Sequence, residues 1–323
     1  MRNGWVWGRA PATIANVGPG FDVFALAIHG PRDEVAIRPA DKDSLAVEGV
    51  GAAGLPTKFS ENTAGIVIDA LRAATGIFQP LQVRVRKGVP SSRGLGSSAA
   101  SCAGAALAFL KAFPSSSSLG AEGFIQAAVA GEAAVSGRHY DNVAAALLGG
   151  FVTVASTQPL ILQRVTVSSR VALAIAIPDI LLKTADMRQV LPDLVPLRDA
   201  VGNIGRAATL ALALSRGDAS LAGRCLEDRI AEPARASFLS GFAEAKAAAL
   251  GAGATGFAIS GSGSTVFGFA PNQAIAGSAA NAMCGAFKAL GTHATPLVTT
   301  ADNSVPLGAV VSKAGPRFSI VAA

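Results

Sequence analysis

Apolar and polar residues alternate over residues 33–39 and again over 81–86, the period-two pattern of strands that bury one face. Between them, residues 63–75 carry Ile66, Ile68, Leu71 and Ala74 around a helical face, and Gly76 follows where a left-handed cap would end the helix. The predicted order is strand, helix, strand. A Gly/Ser-rich loop comes next and runs into an Ala-rich helix, 98–112, that stops before Pro114. Residues 115–118, all serine, read as a flexible surface loop without a chemical signal. A helix over 122–136 leads into Gly137-Arg138-His139-Tyr140-Asp141-Asn142, and Gly149-Gly150 opens a strand at 151–156. The second half reads as a strand at 172–177, helices at about 203–215, 219–229 and 234–250, and a Gly-rich segment, 251–268. No internal repeat is visible. Composition changes little along the chain, and a division near 155–170 is expected, giving an N-terminal domain of residues 1–165 and a C-terminal domain of residues 166–323.

At 323 residues the chain can hold a large core, and 50% hydrophobic against 15% charged residues excludes a disordered protein. The longest apolar run, 171–182, is interrupted by Pro178 and Asp179 and is too short to span a bilayer. The opening, with Arg2 and Arg9 around Trp5 and Trp7, lacks the apolar core of a signal peptide. A soluble cytoplasmic protein with no membrane partner is expected. Cys102, Cys225 and Cys284 stand far apart, which suggests neither a disulfide framework nor a zinc site. The net charge of +6 is scattered except for Arg84, Arg86, Lys87 and Arg93 beside the Gly/Ser loop. With aromatics at 6% and no dense basic face, nucleic acid is not expected, and one anionic small molecule is.

The loop itself is Pro90-Ser91-Ser92-Arg93-Gly94-Leu95-Gly96-Ser97-Ser98-Ala99-Ala100. Gly94 and Gly96 allow backbone conformations closed to other residues and a close approach to an anion. Ser97 and Ser98 set hydroxyls at a helix start, where unpaired N–H groups and the positive end of the dipole stabilise a polyphosphate. No Lys-Ser/Thr pair closes the loop as in a Walker motif, and read alone it serves equally well as a turn with an N-cap. Near the N-terminus, Gly18, Pro19 and Gly20 form a tight turn that can hold the amide of Asn16 and the carboxylate of Asp22 on one rim. Glu132 lies late in an apolar helix, where an unpaired carboxylate needs solvent or a hard cation such as Mg²⁺. Arg188 and Arg235, placed at a helix start or loop edge, suit a carboxylate or phosphate through paired hydrogen bonds. Asp141 is well placed to cap a helix starting near Val143.

Three segments, Pro11 to Asp22, Pro90 to Ala100 and Gly256 to Thr265, resemble the three motifs of the GHMP small-molecule kinases in their usual order. Within that superfamily, Asn16, Gly20-Phe21-Asp22, His139-Tyr140-Asp141-Asn142, Thr184 through Arg188-Gln189-Val190-Leu191-Pro192 and Asp228 through Arg235 resemble the homoserine kinases. Ser262 and Ser264 depart from the Ala and Pro frequent in the third motif. That loop is expected to act mainly through its backbone, so the departure should matter little. The resemblance implies an α+β protein of the GHMP kinase fold, with an N-terminal domain like ribosomal protein S5 domain 2 and a ferredoxin-like C-terminal domain. It implies phosphoryl transfer from ATP to L-homoserine in threonine biosynthesis, and it is compatible with a homodimer. Carried over residue by residue, Pro90 to Ala100 would wrap the triphosphate, with Asn62 and Lys87 near the nucleoside. Ser98 and Glu132 would hold Mg²⁺. Asn16, Asp22, His139, Arg188 and Arg235 would line the amino-acid pocket, and Asn142, Glu132, Thr184 and Arg188 would act at the reacting groups. Asp22 suits the ammonium and the two arginines the carboxylate. Asn142 and Asp141 compete for the place beside the hydroxyl, and the expectation is Asn142 with no dedicated base. Kinases for mevalonate or shikimate, and an inactive sensor that binds the metabolite, are the rival readings.

Overall fold

The computed structural model describes residues 4–308 and 318–321, and its framework is two sheets joined through one shared core. The chain begins with β1 (Val6–Ala15), β2 (Phe24–Pro39), β3 (Ser44–Gly49), α1 (Thr63–Thr75) and β4 (Leu81–Lys87). It continues through α2 (Ser97–Ala112), α3 (Gly120–Ala133), α4 (Asp141–Leu148), β5 (Phe151–Thr157) and β6 (Leu160–Val165). The second half opens with β7 (Ala172–Pro178), α5 (Thr184–Gln189), α6 (Leu197–Arg216), α7 (Ala219–Arg224), α8 (Ala231–Ala236) and α9 (Phe242–Gly251). It closes with β8 (Ala258–Ile259), β9 (Val266–Ala270), α10 (Gln273–Ala289), β10 (Ala294–Thr299) and β11 (Phe318–Val321).

The seven-stranded sheet runs β11-β6-β5-β2-β4-β3, with β1 also on β2, and the four-stranded sheet runs β10-β7-β9-β8. Strand β2 organises the first: Phe24–Leu26 pair with β5, Glu34–Pro39 with β4, and β1 follows both stretches through a register shift between Pro11 and Thr13. Only its second stretch shows alternation in the sequence. From Phe24 to Ile28 every residue is buried, because that stretch carries packing on both faces, and a strand covered on both faces has no period of two.

Helix α2 is buried on all sides from Ala99 to Phe109. Its small side chains let it lie directly on β1, where a Cβ on Gly8 would come within 2.0 Å of the Gly104 carbonyl. This close crossing aims the start of α2 at the cavity described below. Gly76 caps α1 in the left-handed conformation the sequence predicted (φ 73°).

Several elements differ from expectation. Residues 114–119 form a 3-10 turn with Ser116 buried, not a plain loop, because the Ser116 hydroxyl donates to the Phe113 carbonyl. Helix α6 starts at Leu197, earlier than predicted, directly after Pro196, which suits a helix entrance. The helix expected over 219–229 ends at Arg224. The helix expected over 234–250 is two, interrupted where Gly241 takes φ 90°.

Ile14, Leu26 and Phe151 of the first sheet pack with Leu173, Phe267 and Phe269 of the second in one cluster. Strand β11 returns to the first sheet, parallel to β6, so a C-terminal unit of residues 166–323 does not follow the strand pairing to its end. The basic group Arg84, Arg86, Lys87 and Arg93 is divided by the alternation of β4. Arg84 stacks on Trp5, while Arg86 stacks on Trp7 and pairs with Glu34 and Glu48; of the four, Lys87 and Arg93 reach the cavity. No helix among the described residues is long and apolar enough to cross a membrane. Cys102 and Cys225 are buried free thiols, and Cys284 is half-buried.

Candidate active site

A cavity of about 450 Å³ is lined from both halves of the chain by the turn after β1, the entrance of α1, the Gly/Ser loop, the end of α3, residues 139–142, α5, α8 and the loop after β8. The Gly/Ser loop forms one wall. Gly94 and Gly96 take φ 75° and 65°, and a Cβ on Gly94 would meet the Ser260 carbonyl at 2.2 Å. Gly96 is the N-cap of α2 and brings no side chain, which leaves the first turn of that helix open toward the cavity. Backbone bonds hold the loop in place: Thr13 N–H donates to Leu95 O (3.0 Å), and Thr265 N–H to Arg93 O (3.0 Å).

Of the predicted triphosphate residues, Ser91, Ser92, Arg93, Gly94, Gly96, Ser97 and Ser98 line the cavity. Pro90, Leu95, Ala99 and Ala100 do not; the last three are buried behind the wall, and their part is packing. Asn62 lines the cavity but also caps α1, accepting from Ala64 N–H (3.0 Å) and donating to Pro56 O (2.7 Å). Lys87 is more deeply committed. Its buried ammonium pairs with Asp33 and donates to Ser97 O (2.7 Å) and Ser101 Oγ (2.8 Å). Asp33 also accepts from the N–H groups of Gly88 (2.9 Å) and Val89 (3.0 Å). The pair thus ties both ends of the phosphate loop together, and Lys87, which also lines the cavity, has its ammonium engaged by these three partners beneath the loop. Asp33 opened a predicted strand and was missed as a site residue, because its charged neighbours resemble a solvated face.

Glu132 is buried at the end of α3. Its Oε1 accepts from Ser98 Oγ (2.9 Å) and from Ser136 Oγ, while Oε2 is buried without a partner. Burial raises its pKa, opposed by the Ser136 and Ser98 hydroxyls and then by Lys87. An orphaned carboxylate oxygen beside a hydroxyl at a helix N-terminus is the donor set a hard divalent ion takes, and these residues fit Mg²⁺. Ser136 has no signal in the sequence beyond its distance of one helical turn from Glu132.

The opposite end of the cavity carries charge. Asn16, Val17 and Asp22 all take positive φ (67°, 45° and 57°), and Asn16 Oδ1 accepts from Asp22 N–H (3.3 Å), the turn the sequence suggested. Arg188 Nη2 donates to Asp22 Oδ1 (2.6 Å) and to His139 Nδ1 (3.0 Å). His139 Nε2 lies 2.8 Å from Ser136 O, so it carries the proton and Nδ1 accepts; the ring is neutral, and burial lowers its pKa. Asp22 is therefore already paired. Phe21 lies beneath both guanidinium groups, 5.4 Å from Arg188 and 5.2 Å from Arg235. Arg188 and Arg235 sit in the last turns of α5 and α8, not at helix starts. Asp228 fixes α8 by accepting from the N–H groups of Ile230, Ala231 and Glu232.

Arg235 is buried and donates only to carbonyls, Gly261 O (2.8 Å) and Met187 O (3.2 Å). Burial and then Arg188 lower its pKa, and among the described residues no ion pair to a carboxylate includes it. A buried guanidinium that Asp22, Asp228 and Asp141 reach only at longer range, with no carboxylate in ion-pair contact, gains from an anion that a ligand supplies.

Asp141 does not cap its helix. Tyr140 is the N-cap of α4, no side-chain cap bond forms, and Asp141 Oδ1 is buried without a partner, its pKa raised by burial to about 7. Next to it, Asn142 Oδ1 accepts from the Thr13 hydroxyl, which leaves its Nδ2 donor to face the cavity. Thr184 Oγ1 and Ser262 Oγ lie 3.3 Å apart at the rim. The third motif acts through its backbone, with Gly261 N–H donating to Ala15 O (3.1 Å), and also through a side chain: Ser264 Oγ donates to Ile180 O (2.6 Å).

The family models for the GHMP kinases match residues 62–150 (N-terminal domain) and 210–289 (C-terminal). A homoserine kinase of Natronomonas pharaonis is 40% identical over 287 residues, 88% of this chain and 94% of that protein. That of Halobacterium salinarum is 43% identical over 256 residues, covering 79% and 81%. The crystal structure of homoserine kinase from Cytophaga hutchinsonii superposes with a TM-score of 0.87 at 34% identity, covering 94% of this chain and 96% of that one. Mevalonate kinase of L. major, at 14% identity and a TM-score of 0.67, shares the fold. With the motifs in order, the fold matched and the identity spread over most of its length, the chain belongs to the homoserine kinase family of the GHMP kinases.

Proposed function

We propose that this protein transfers the γ-phosphate of ATP to the side-chain hydroxyl of L-homoserine, giving O-phospho-L-homoserine, a step of threonine biosynthesis. The observation that carries the substrate is Arg235, a buried guanidinium with no carboxylate in ion-pair contact, over the same Phe21 ring as Arg188 of the Arg188–Asp22 pair. A zwitterion completes this arrangement: its carboxylate supplies the missing anion and its ammonium meets Asp22. Mevalonate and shikimate carry the carboxylate but no ammonium.

Ser91 to Ser98 and the start of α2 hold the triphosphate, and Thr184 and Arg188 face the transferring group. Glu132 and Ser98 would hold Mg²⁺, whose chemistry there would be to neutralise phosphate charge. Phosphoryl transfer through a loose transition state asks for alignment more than for a strong base, and the Asn142 amide donor aligns the substrate hydroxyl. ADP release measured with homoserine, mevalonate and shikimate tests the assignment. Turnover with homoserine alone is expected, and equal turnover with mevalonate would overturn it.

The buried, unpartnered Oδ1 of Asp141 supports a second reading for the proton. With a pKa near 7 it would accept the hydroxyl proton as the bond to phosphorus forms. Its carboxylate would then be the active form, and kcat would rise with pH through about 7 and level off above it. If Asp141 takes the proton, Asp141→Asn removes that rise and most of the rate; if Asn142 acts without a base, the Asp141→Asn profile keeps the wild-type shape.

A further inference from the structure

Glu232 is a buried carboxylate that the reaction derived above does not use, and it stands one helical turn before Arg235 on α8. Its Oε2 accepts from the Ile259 N–H of β8 (3.1 Å), and Lys246 of α9 approaches Oε1 to 4.0 Å. Arg235 in turn donates to Gly261 O (2.8 Å), so two rungs lay α8 along residues 259–261. That segment is fixed without α8. Strand β8 pairs with β9, Ser260 N–H donates to Thr265 O (2.9 Å), and Gly261 N–H donates to Ala15 O (3.1 Å). Helix α8 is the dependent partner: it has six residues, and Asp228, held by Asn203 Nδ2 (2.7 Å), fixes its first turn. Without the Glu232 rung, the last turn would be tethered through the Arg235 guanidinium itself, to Gly261 O and Met187 O.

We infer that Glu232 is the positioning residue for Arg235: through the Ile259 N–H it fixes the turn of α8 that aims the guanidinium at the substrate carboxylate. The inference rests on the reading of Arg235 given above. A guanidinium meets a carboxylate through paired hydrogen bonds only in a narrow range of orientations, and a displacement of about 1 Å is enough to lose them. Gly261 O also accepts from the Asn16 amide (3.2 Å), so the acceptor beside Arg235 is held from the opposite rim, and it is the helix that must be brought to it. A carboxylate is an unfavourable group at this depth: burial raises its pKa to about 7, opposed by the Ile259 N–H and then by Lys246. Its folded-state pKa lies above the ordinary one, so the ionised form costs stability as pH rises between the two. Removing the charge offsets part of the cost of leaving the Ile259 N–H without a partner, and Glu232→Leu is expected to fold.

Steady-state kinetics with homoserine and homoserinol, which presents no carboxylate, test the tie. Glu232→Leu should raise KM for homoserine about tenfold with kcat within about twofold of the wild type, the scale of coupling inside one hydrogen-bond network. KM for ATP and kcat/KM for homoserinol should stay within about twofold. Glu232→Gln keeps an acceptor for Ile259 and should restore the wild-type KM. Glu232→Asp keeps the charge but shortens the tie, and should show the same split at about threefold; it carries the test if the leucine variant does not fold. With Arg235→Leu already in place, Glu232→Leu should no longer change the ratio of kcat/KM for homoserine to that for homoserinol. A wild-type KM for homoserine in the leucine and aspartate variants, an equal loss on both alcohols, or an undiminished effect beside Arg235→Leu would each overturn the inference. If Arg235→Leu abolishes the preference for homoserine and Glu232→Leu leaves it intact, the positioning role alone falls. If Arg235→Leu itself keeps the wild-type ratio, the reading of Arg235 falls and this inference with it.

Discussion

Glu132→Gln is expected to lower kcat by roughly 100-fold or more without unfolding the protein, because the lost charge serves the transferring phosphate and not the core. The stability of the unliganded protein should move in the opposite direction to its activity. Burial raises the folded-state pKa of Glu132 above its ordinary value, so the folded state binds the proton more tightly than the unfolded chain does. The carboxylate therefore costs stability as pH rises from the unfolded pKa through the folded one. Gln keeps the acceptor for Ser98 and Ser136 and removes that cost. The variant should melt no lower than the wild type at pH 8, with a Tm that varies less with pH. Thermal melts at pH 5 and 8 together with Mg²⁺-dependent turnover check both halves. A variant with normal turnover and normal Mg²⁺ dependence removes Glu132 from the metal site, and an inactive variant that melts far below the wild type makes its role structural.

Arg235→Leu should cost on the order of 2–5 kcal/mol in kcat/KM for homoserine, the usual scale when one partner of a buried charged pair is removed. The folded protein should tolerate the change well, since Arg235 is held only by two carbonyls and its charge is penalised by burial. Homoserinol keeps the amine and the hydroxyl but lacks the carboxylate, so it isolates the proposed contact. On the wild type it should be a much poorer substrate than homoserine. On Arg235→Leu the two should be nearly equal, because the group that told them apart has lost a partner. If the variant keeps the wild-type preference for homoserine, Arg235 does not bind the carboxylate and the observation that carries the substrate assignment falls. Arg188→Leu is a less clean probe, since it also releases Asp22 and His139.

What the sequence determined by itself was local. Gly76 ends α1 and the left-handed glycines 94 and 96 shape the phosphate wall, because a backbone conformation closed to side chains leaves a glycine at that spot. The Asn16–Asp22 turn was legible for the same reason, whereas the apolar helix around Glu132 left solvent and a cation as equal readings until the structure buried it. The GHMP motifs, spaced over most of the chain, carried the family.

Only the tertiary structure decided which side chain meets which across long separations. Lys87 carried the sign of a nucleotide ligand, but Asp33 lies fifty-four positions away and claims its ammonium beneath the loop. Asp141 occupied a capping position, yet the chain enters α4 through Tyr140 and leaves one oxygen of that carboxyl, Oδ1, without a partner in the cavity wall. Arg188 and Arg235 looked alike in sequence; folding gave one to Asp22 and left the other facing only carbonyls. The half of β2 that bears on both faces was likewise invisible, since alternation signals a strand only where one face meets water. Short-range patterns encode φ, ψ and which face turns inward. The partner of a buried charge is set by where the two sheets bring distant segments together, and no window of neighbouring residues contains that distance.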